Sequence, residues 1–187
     1  MTACLSGGCL PIVVTPYAPT MASKEEARGL FRELRRNSQS LDRKAPSRML
    51  LTAPEIKSAR TIASFQSYGD EPDTFDLHSV LRSQGKKIFL PRMNYDKSLT
   101  WLLDGAEINQ ELLSNIDVVI VPALAVDSRG VRLGQGGGSF DRALPALPGW
   151  KVALIDSVCF CATELPEELH DVRVDAVATE FGFTRFS

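Results

Sequence analysis

Long apolar runs, an excess of charge of one sign, and ligand-spaced cysteines are all missing from this 187-residue chain. The apolar run at residues 10–14 is too short to span a bilayer and has no basic segment ahead of it, so neither an anchor nor a secretory leader is indicated. Lysine and arginine number 21 against 23 acidic residues, a net charge of −2. No basic run interleaved with aromatics is present, and the electrostatic footprint of a nucleic-acid binder is therefore absent. Cys4, Cys9, Cys159 and Cys161, with two histidines in the whole chain, make no zinc spacing and are expected to be reduced thiols of a cytoplasmic protein. No Ser-His-Asp or Cys-His constellation is visible, and no G-x-x-x-x-G-K-[ST] phosphate loop. What these absences leave is an ordinary small-molecule enzyme or binding domain, large enough to bury a central sheet.

The positive signal is concentrated between Val119 and Leu144, VIVPALAVDSRGVRLGQGGGSFDRAL. A buried strand closed by Pro122 leads through an Asp-Ser-Arg-Gly turn to glycines at 134, 136, 137 and 138, and then to a helix expected to begin near Ser139. Glycines ahead of a helix leave backbone N–H groups converging on one spot, where an anion binds readily. Arg132 adds a guanidinium, and Asp141, one turn into the helix, a carboxylate able to hold Mg²⁺. By local chemistry alone, the same string also reads as a glycine-rich turn with no ligand.

The whole string resembles the signature of the 5-formyltetrahydrofolate cyclo-ligase family, V-P-G-L-A-F-D-x-x-G-x-R-L-G-x-G-x-G-Y-Y-D-R. Val121, Pro122, Leu124, Ala125, Asp127, Gly130, Arg132, Leu133, Gly134, Gly136, Gly138, Asp141 and Arg142 fall in register without a gap. The resemblance implies that Arg132, Leu133, Gly134, Gln135, Gly136, Gly137, Gly138, Ser139 and Phe140 line an ATP site, and that Asp141 takes Mg²⁺. It also places Gln135 and Ser139 beside the folate.

Three shorter matches follow the family's order. In the helix expected over residues 23–36, Ser23 and Glu26 form a capping box and Ala27, Leu30, Phe31 and Leu34 an apolar stripe. Lys24 and Arg28 share a face there and resemble the family's K-x-x-x-R, which implies contact with ATP phosphates and folate; spacing alone favours a solvated basic face. The segment SFQSYGDEPDT at residues 64–74 resembles the family's G-E-V-D-T region and implies Glu71 against the pterin with Gln66 near it, although in isolation it is a polar turn. A carboxylate suits a pterin because the ring presents adjacent N–H donors. The closing LPEELHDVRVDAVATE resembles L-P-x-E-x-H-D-x-x-V-D-x-V-x-T-E, implying Asp171 as a second Mg²⁺ carboxylate and leaving His170 a structural residue.

Periodicity predicts strands at residues 61–65, 87–91, 118–122, 152–155 and 174–178, with helices at 75–84 and 140–147 and an apolar segment at 49–59 that Pro54 interrupts. Shorter segments are expected at 99–103 and 108–113. The alternation indicates an α/β fold: a three-layer α/β/α, mainly parallel central sheet (NagB/RpiA/CoA-transferase-like), as a single domain over 23–187. Residues 1–22 are expected to be a disordered tail, or upstream sequence ahead of a start at Met21. Ligands of open α/β sheets sit beyond the strands' carboxyl ends, so the Glu71 and glycine loops are expected to share one cleft.

The reaction the resemblance implies is ATP-driven closure of 5-formyltetrahydrofolate to 5,10-methenyltetrahydrofolate by a monomer, with Lys24, Arg28 and Arg132 stabilising the transferring phosphoryl group. The departures from the family pattern lie near the substrate: Ser139 and Phe140 stand for Tyr-Tyr, Ala123 for glycine, and Phe160 where a glutamine is usual. They keep open a non-catalytic or altered-substrate relative that binds folate or a phosphorylated ligand, and a sugar-phosphate isomerase or CoA-transferase-like domain resting on architecture alone.

Overall fold

The computed structural model describes residues 21–38 and 42–186. The tail expected over 1–22 therefore lies outside the described residues, save Met21 and Ala22. In chain order the elements are α1 (Lys24–Asn37), α2 (Ala45–Leu50), α3 (Pro54–Ser58), β1 (Thr61–Ala63), α4 (Phe75–Ser83), β2 (Lys87–Met93), β3 (Leu99–Leu103) and β4 (Ala106–Glu107). There follow α5 (Gln110–Leu113), β5 (Val118–Pro122), β6 (Ala125–Asp127), β7 (Arg132–Leu133), α6 (Ser139–Ala143), β8 (Trp150–Leu154), β9 (Phe160–Cys161), β10 (Ala176–Thr179) and β11 (Gly182–Arg185).

The α1 helix starts where the sequence predicts, because Ser23 accepts the Glu26 N–H at 3.2 Å. The Glu26 carboxylate reaches back to Ala22 N–H at 3.0 Å, one residue earlier than in the usual reciprocal box. Met21 is buried in the core, so packed chain begins ahead of the expected boundary. The Asn109 side chain likewise caps the short α5 by accepting Leu112 N–H at 3.0 Å.

The main sheet runs β11-β10-β8-β5-β1-β2-β3-β4. Strands β10, β8, β5, β1 and β2 are parallel, and antiparallel strands extend both edges. Val118 and Ile120 enter the core beneath α2, α3 and α4, whereas Val119 and Val121 face α1 and a small sheet ordered β7-β6-β9. This small sheet takes the place of a full helical layer on the second face, a refinement of the expected helix-on-both-faces arrangement. The chain leaves β1 for β2 on one side and returns to β5 on the other, so the loops after β1 and β5 part at a topological switch point. No helix among the described residues is long and apolar enough to cross a membrane.

One buried histidine makes the fold sensitive to acid. His78 on α4 is 2 % exposed and shares a 2.8 Å hydrogen bond with Ser64. Burial, aided by the Arg82 charge, pulls its pKa down from 6.5 to about 4. The folded state holds this proton less tightly than the unfolded chain, so its contribution is complete above pH 6.5 and is lost as pH falls toward about 4. Urea unfolding at stepped pH should show a loss of up to ~3 kcal/mol across that window, most of it absent in His78→Gln. An unchanged slope in the variant assigns the acid sensitivity elsewhere.

Candidate functional site

The loop after β1 is stapled at its base. Ser67 and Thr74 exchange hydrogen bonds through their side chains, Ser67 N–H to Thr74 Oγ1 at 3.0 Å and Thr74 N–H to Ser67 Oγ at 3.1 Å. Between them the chain turns, and the Glu71 carboxylate folds inward to accept Tyr68 N–H at 3.2 Å. Arg43 clamps the Glu71 carbonyl from outside with two donors at 2.7 and 3.1 Å. Glu71 is thus 7 % exposed. Burial pushes its carboxyl above the usual range against the opposing pull of Tyr68 N–H, Arg35, Arg43 and the Gln135 side chain.

The second loop is less direct than its sequence suggests. Between β5 and the glycines the chain makes the β6–β7 hairpin of the small sheet, with the Asp-Ser-Arg-Gly segment as its turn. The buried Asp127 organises that turn by accepting the N–H groups of Arg129 and Val131 at 2.9 and 3.0 Å. Arg132 emerges from the hairpin 6 % exposed and ion-paired to Asp141, while its Nε has no hydrogen-bond partner among the described residues. The helix after the glycines begins at Ser139 as expected, but its α-helical part ends at Ala143 and a 3₁₀ turn, Leu144–Ala146, completes it.

Helix α1 holds the glycine loop from above. Arg28 Nε donates to Gly134 O at 3.1 Å and Arg32 Nη2 to Gln135 O at 3.0 Å. Gly136 has φ +101°, a conformation that favours glycine, whereas a Cβ there would make only an ordinary 3.5 Å contact with Arg28 Nε. Gly138, at φ +69°, turns the chain into α6. One helical turn before Arg28, Lys24 Nζ lies 2.8 Å from Asp171 and 3.3 Å from Glu168. Burial raises the Asp171 carboxyl, but Lys24 and the Glu168 N–H outweigh it and hold the group below its ordinary value.

Two cavities meet at these loops. One, of about 140 Å³, is lined by Arg132, residues 134–141 and Glu71. The other, of about 230 Å³, lies between Glu71, Gln135 and the arginines of α1. Glu71 and Gln135 belong to both, so the two predicted loops form one cleft. Gln66 is exposed and lines neither cavity. Phe160 also lines neither; it packs in the core with its ring 6.2 Å from that of Phe186. Of the acidic groups predicted to bind a divalent cation, Asp141 pairs with Arg132 and Asp171 with Lys24. Asp171, Glu168 and His170 have ligand atoms within 4.8 Å of one another, a group Asp141 does not join.

Sequence reasoning missed Arg35. It completes the buried stripe Ala27, Phe31, Arg35 on α1 and donates to the carbonyls of Ala123 and Leu124 at 2.7 and 3.2 Å. An arginine at a core position of an amphipathic helix was the available signal.

The described donor set suits an anion: a buried arginine with an unused N–H, beside carbonyl-anchored glycines. The sequence profile of the 5-formyltetrahydrofolate cyclo-ligase family matches residues 20–180. The 5-formyltetrahydrofolate cyclo-ligase of Escherichia coli K12 is 31 % identical over 162 residues, covering 75 % of this chain and 88 % of that protein. The Mycolicibacterium smegmatis enzyme of the same name is 32 % identical, with 65 % and 74 % covered. Among solved structures, the Aquifex aeolicus 5,10-methenyltetrahydrofolate synthetase superposes with a TM-score of 0.73 at 26 % identity, covering 87 % of this chain and 92 % of that one.

Proposed function

The chain belongs to the 5-formyltetrahydrofolate cyclo-ligase family, a family of folate-metabolising enzymes, and from that premise we propose that it closes 5-formyltetrahydrofolate to 5,10-methenyltetrahydrofolate with ATP and Mg²⁺. The observation that carries this reading is the single cleft in which the buried Glu71 faces the Arg132 glycine loop. A carboxylate and an anion cradle side by side match a ligand pair of pterin and triphosphate.

The formyl oxygen on N5 attacks the γ-phosphate of ATP and ADP departs. N10 then attacks the activated formyl carbon, its proton passes to the departing phosphate, and the C–O bond to phosphate breaks as the ring closes. No protein nucleophile is required, so the chain's work is positioning and charge stabilisation. Arg132 brings its unused Nε–H to the phosphates, and Arg28, which already grips the loop at Gly134, fixes the glycines around them. Lys24, on the same face of α1, adds a third positive charge. Glu71 accepts the pterin's adjacent N–H donors. Asp141 and Asp171 would hold Mg²⁺, which supplies neutralisation of charge on the transferring group.

The direct test is absorbance in the methenyl-folate band after mixing protein with Mg²⁺-ATP and 5-formyltetrahydrofolate, beside a control lacking ATP. ATP-dependent growth is expected. A flat trace with saturable ligand binding would instead make the chain a binding-only relative. Ser139 stands where the family signature has tyrosine, and among the described residues its hydroxyl meets the Met93 sulfur at 3.7 Å. Ser139→Tyr is therefore expected to tighten 5-formyltetrahydrofolate several-fold by restoring aromatic surface, ~1 kcal/mol. Weaker binding in the variant would mean that this wall has been rebuilt around the smaller residue.

A further inference from the structure

Arg35 is seated in the wall of the larger cavity with its side chain 4 % exposed. Its Nη2 is used by the carbonyls that leave β5, but among the described residues neither Nε nor Nη1 has a nitrogen or oxygen acceptor, and the neighbour on that side is the buried Cys159 thiol. The nearest carboxylate, Asp156, stands 3.8 Å from Nε, beyond hydrogen-bond range, and its own Oδ1 is also unpartnered. Burial pushes the Asp156 carboxyl upward, against the pull of the Arg35 charge. Buried donors without acceptors are costly, and a ligand that supplies an acceptor recovers that cost.

The same cavity is walled by Glu71, close enough for the Arg35 charge to act on its carboxyl. A carboxylate that accepts, beside a guanidinium that donates, reads a ligand edge of donor, donor, acceptor. The pyrimidinone edge of a pterin has that order: the 2-amino group, N3–H, then the 4-oxo oxygen.

We propose that Arg35 is a specificity-determining residue that donates to the 4-oxo oxygen of the pterin while Glu71 accepts from N3–H and the 2-amino group. This assignment rests on the folate reading of the cleft. It makes the site selective for 4-oxopteridines over 4-amino ones, which present a donor to Arg35 and no N3 proton to Glu71.

The test is calorimetric binding, without ATP, of 5-formyltetrahydrofolate and its 4-amino counterpart to wild type, Arg35→Leu and Asp156→Asn. Wild type is expected to prefer the 4-oxo ligand by roughly a hundredfold or more. Arg35→Leu should cut that preference by about tenfold, through weaker 4-oxo binding, with the remainder due to Glu71. Asp156→Asn should keep the preference. Should Arg35→Leu fail to fold, the double variant Arg35→Leu/Asp156→Leu removes both buried charges together and serves in its place. A wild type that selects the 4-oxo ligand by a ratio Arg35→Leu leaves unchanged overturns the Arg35 assignment alone, because a structural role weakens both ligands equally. A wild type that binds neither ligand overturns the folate reading and this one with it.

Discussion

Asp127→Ala is expected to destabilise the protein by about 3–5 kcal/mol, the range for removing one partner of a buried charged network. Asp127 is fully buried, and both its oxygens are engaged. Oδ1 accepts the N–H groups of Arg129 and Val131 at 2.9 and 3.0 Å, and Oδ2 accepts Leu165 N–H at 3.0 Å. Oδ2 also takes Arg129 Nε and Nη2 at 3.0 and 2.8 Å. Alanine would leave the Val131 and Leu165 amides without acceptors inside the core, at about 1–3 kcal/mol each, and would leave the half-buried Arg129 guanidinium with only the outer carboxylates of Glu164 and Glu167, at 3.2 and 3.9 Å. Asn keeps an acceptor and should lose less. The exposed pair of Arg92 and Glu107 is a control whose removal should cost less than ~1 kcal/mol. Urea midpoints measure all three, and a loss below about 1 kcal/mol for Asp127→Ala would show that the hairpin is held by packing alone. Because that hairpin delivers Arg132, turnover should fall even where the variant remains folded.

The hairpin also marks where the sequence is hard to read. Its strands, Ala125–Asp127 and Arg132–Leu133, are too short for period-2 alternation to register, so the segment looks like a continuous approach to the glycines. The α1 cap and stripe were legible because they are local: capping partners lie three residues apart and apolar positions one turn apart. The parallel strand Val118–Pro122 was legible because burial on both faces leaves an unbroken apolar run. The partners of the site's charges were not. Lys24 meets Asp171 across 147 residues of sequence, and Arg132 closes on its own loop's Asp141. Spacing along the chain carries no record of either pair. The family signature supplied the candidate residues, while the fold supplied the fact that Glu71 and Gln135 stand in one cleft. Arg35 escaped both routes, since it belongs to no quoted motif and an arginine on an apolar stripe is easily set aside as a surface charge.

Asp141→Asn is expected to lower ATP-dependent turnover by at least about a hundredfold, if this carboxylate holds the divalent cation on the transferring phosphate. The amide keeps the size and much of the shape of the side chain but surrenders the charge. Two consequences separate a metal role from a scaffolding one. Asp141 is paired to Arg132, whose side chain is only 2 % exposed, so the substitution frees that guanidinium inside the glycine loop. Affinity for ATP without Mg²⁺ should therefore hold or rise, because a competing internal carboxylate has been removed. Affinity for the Mg²⁺ complex should fall, and the Mg²⁺ concentration for half-maximal rate should shift upward. A residue serving only to orient Arg132 would behave differently: its loss would weaken ATP with and without metal alike, and leave the Mg²⁺ dependence in place. Titrations of nucleotide with and without Mg²⁺, run beside the methenyl absorbance assay, distinguish the two, and turnover within a few-fold of wild type would end the metal assignment for Asp141. Asp171→Asn supplies the companion measurement. Its carboxylate is held down by Lys24, and removing the charge releases that lysine just as Asp141→Asn releases Arg132. If the two carboxylates serve one cation, the double variant should be little slower than the slower single variant, whereas independent roles would multiply.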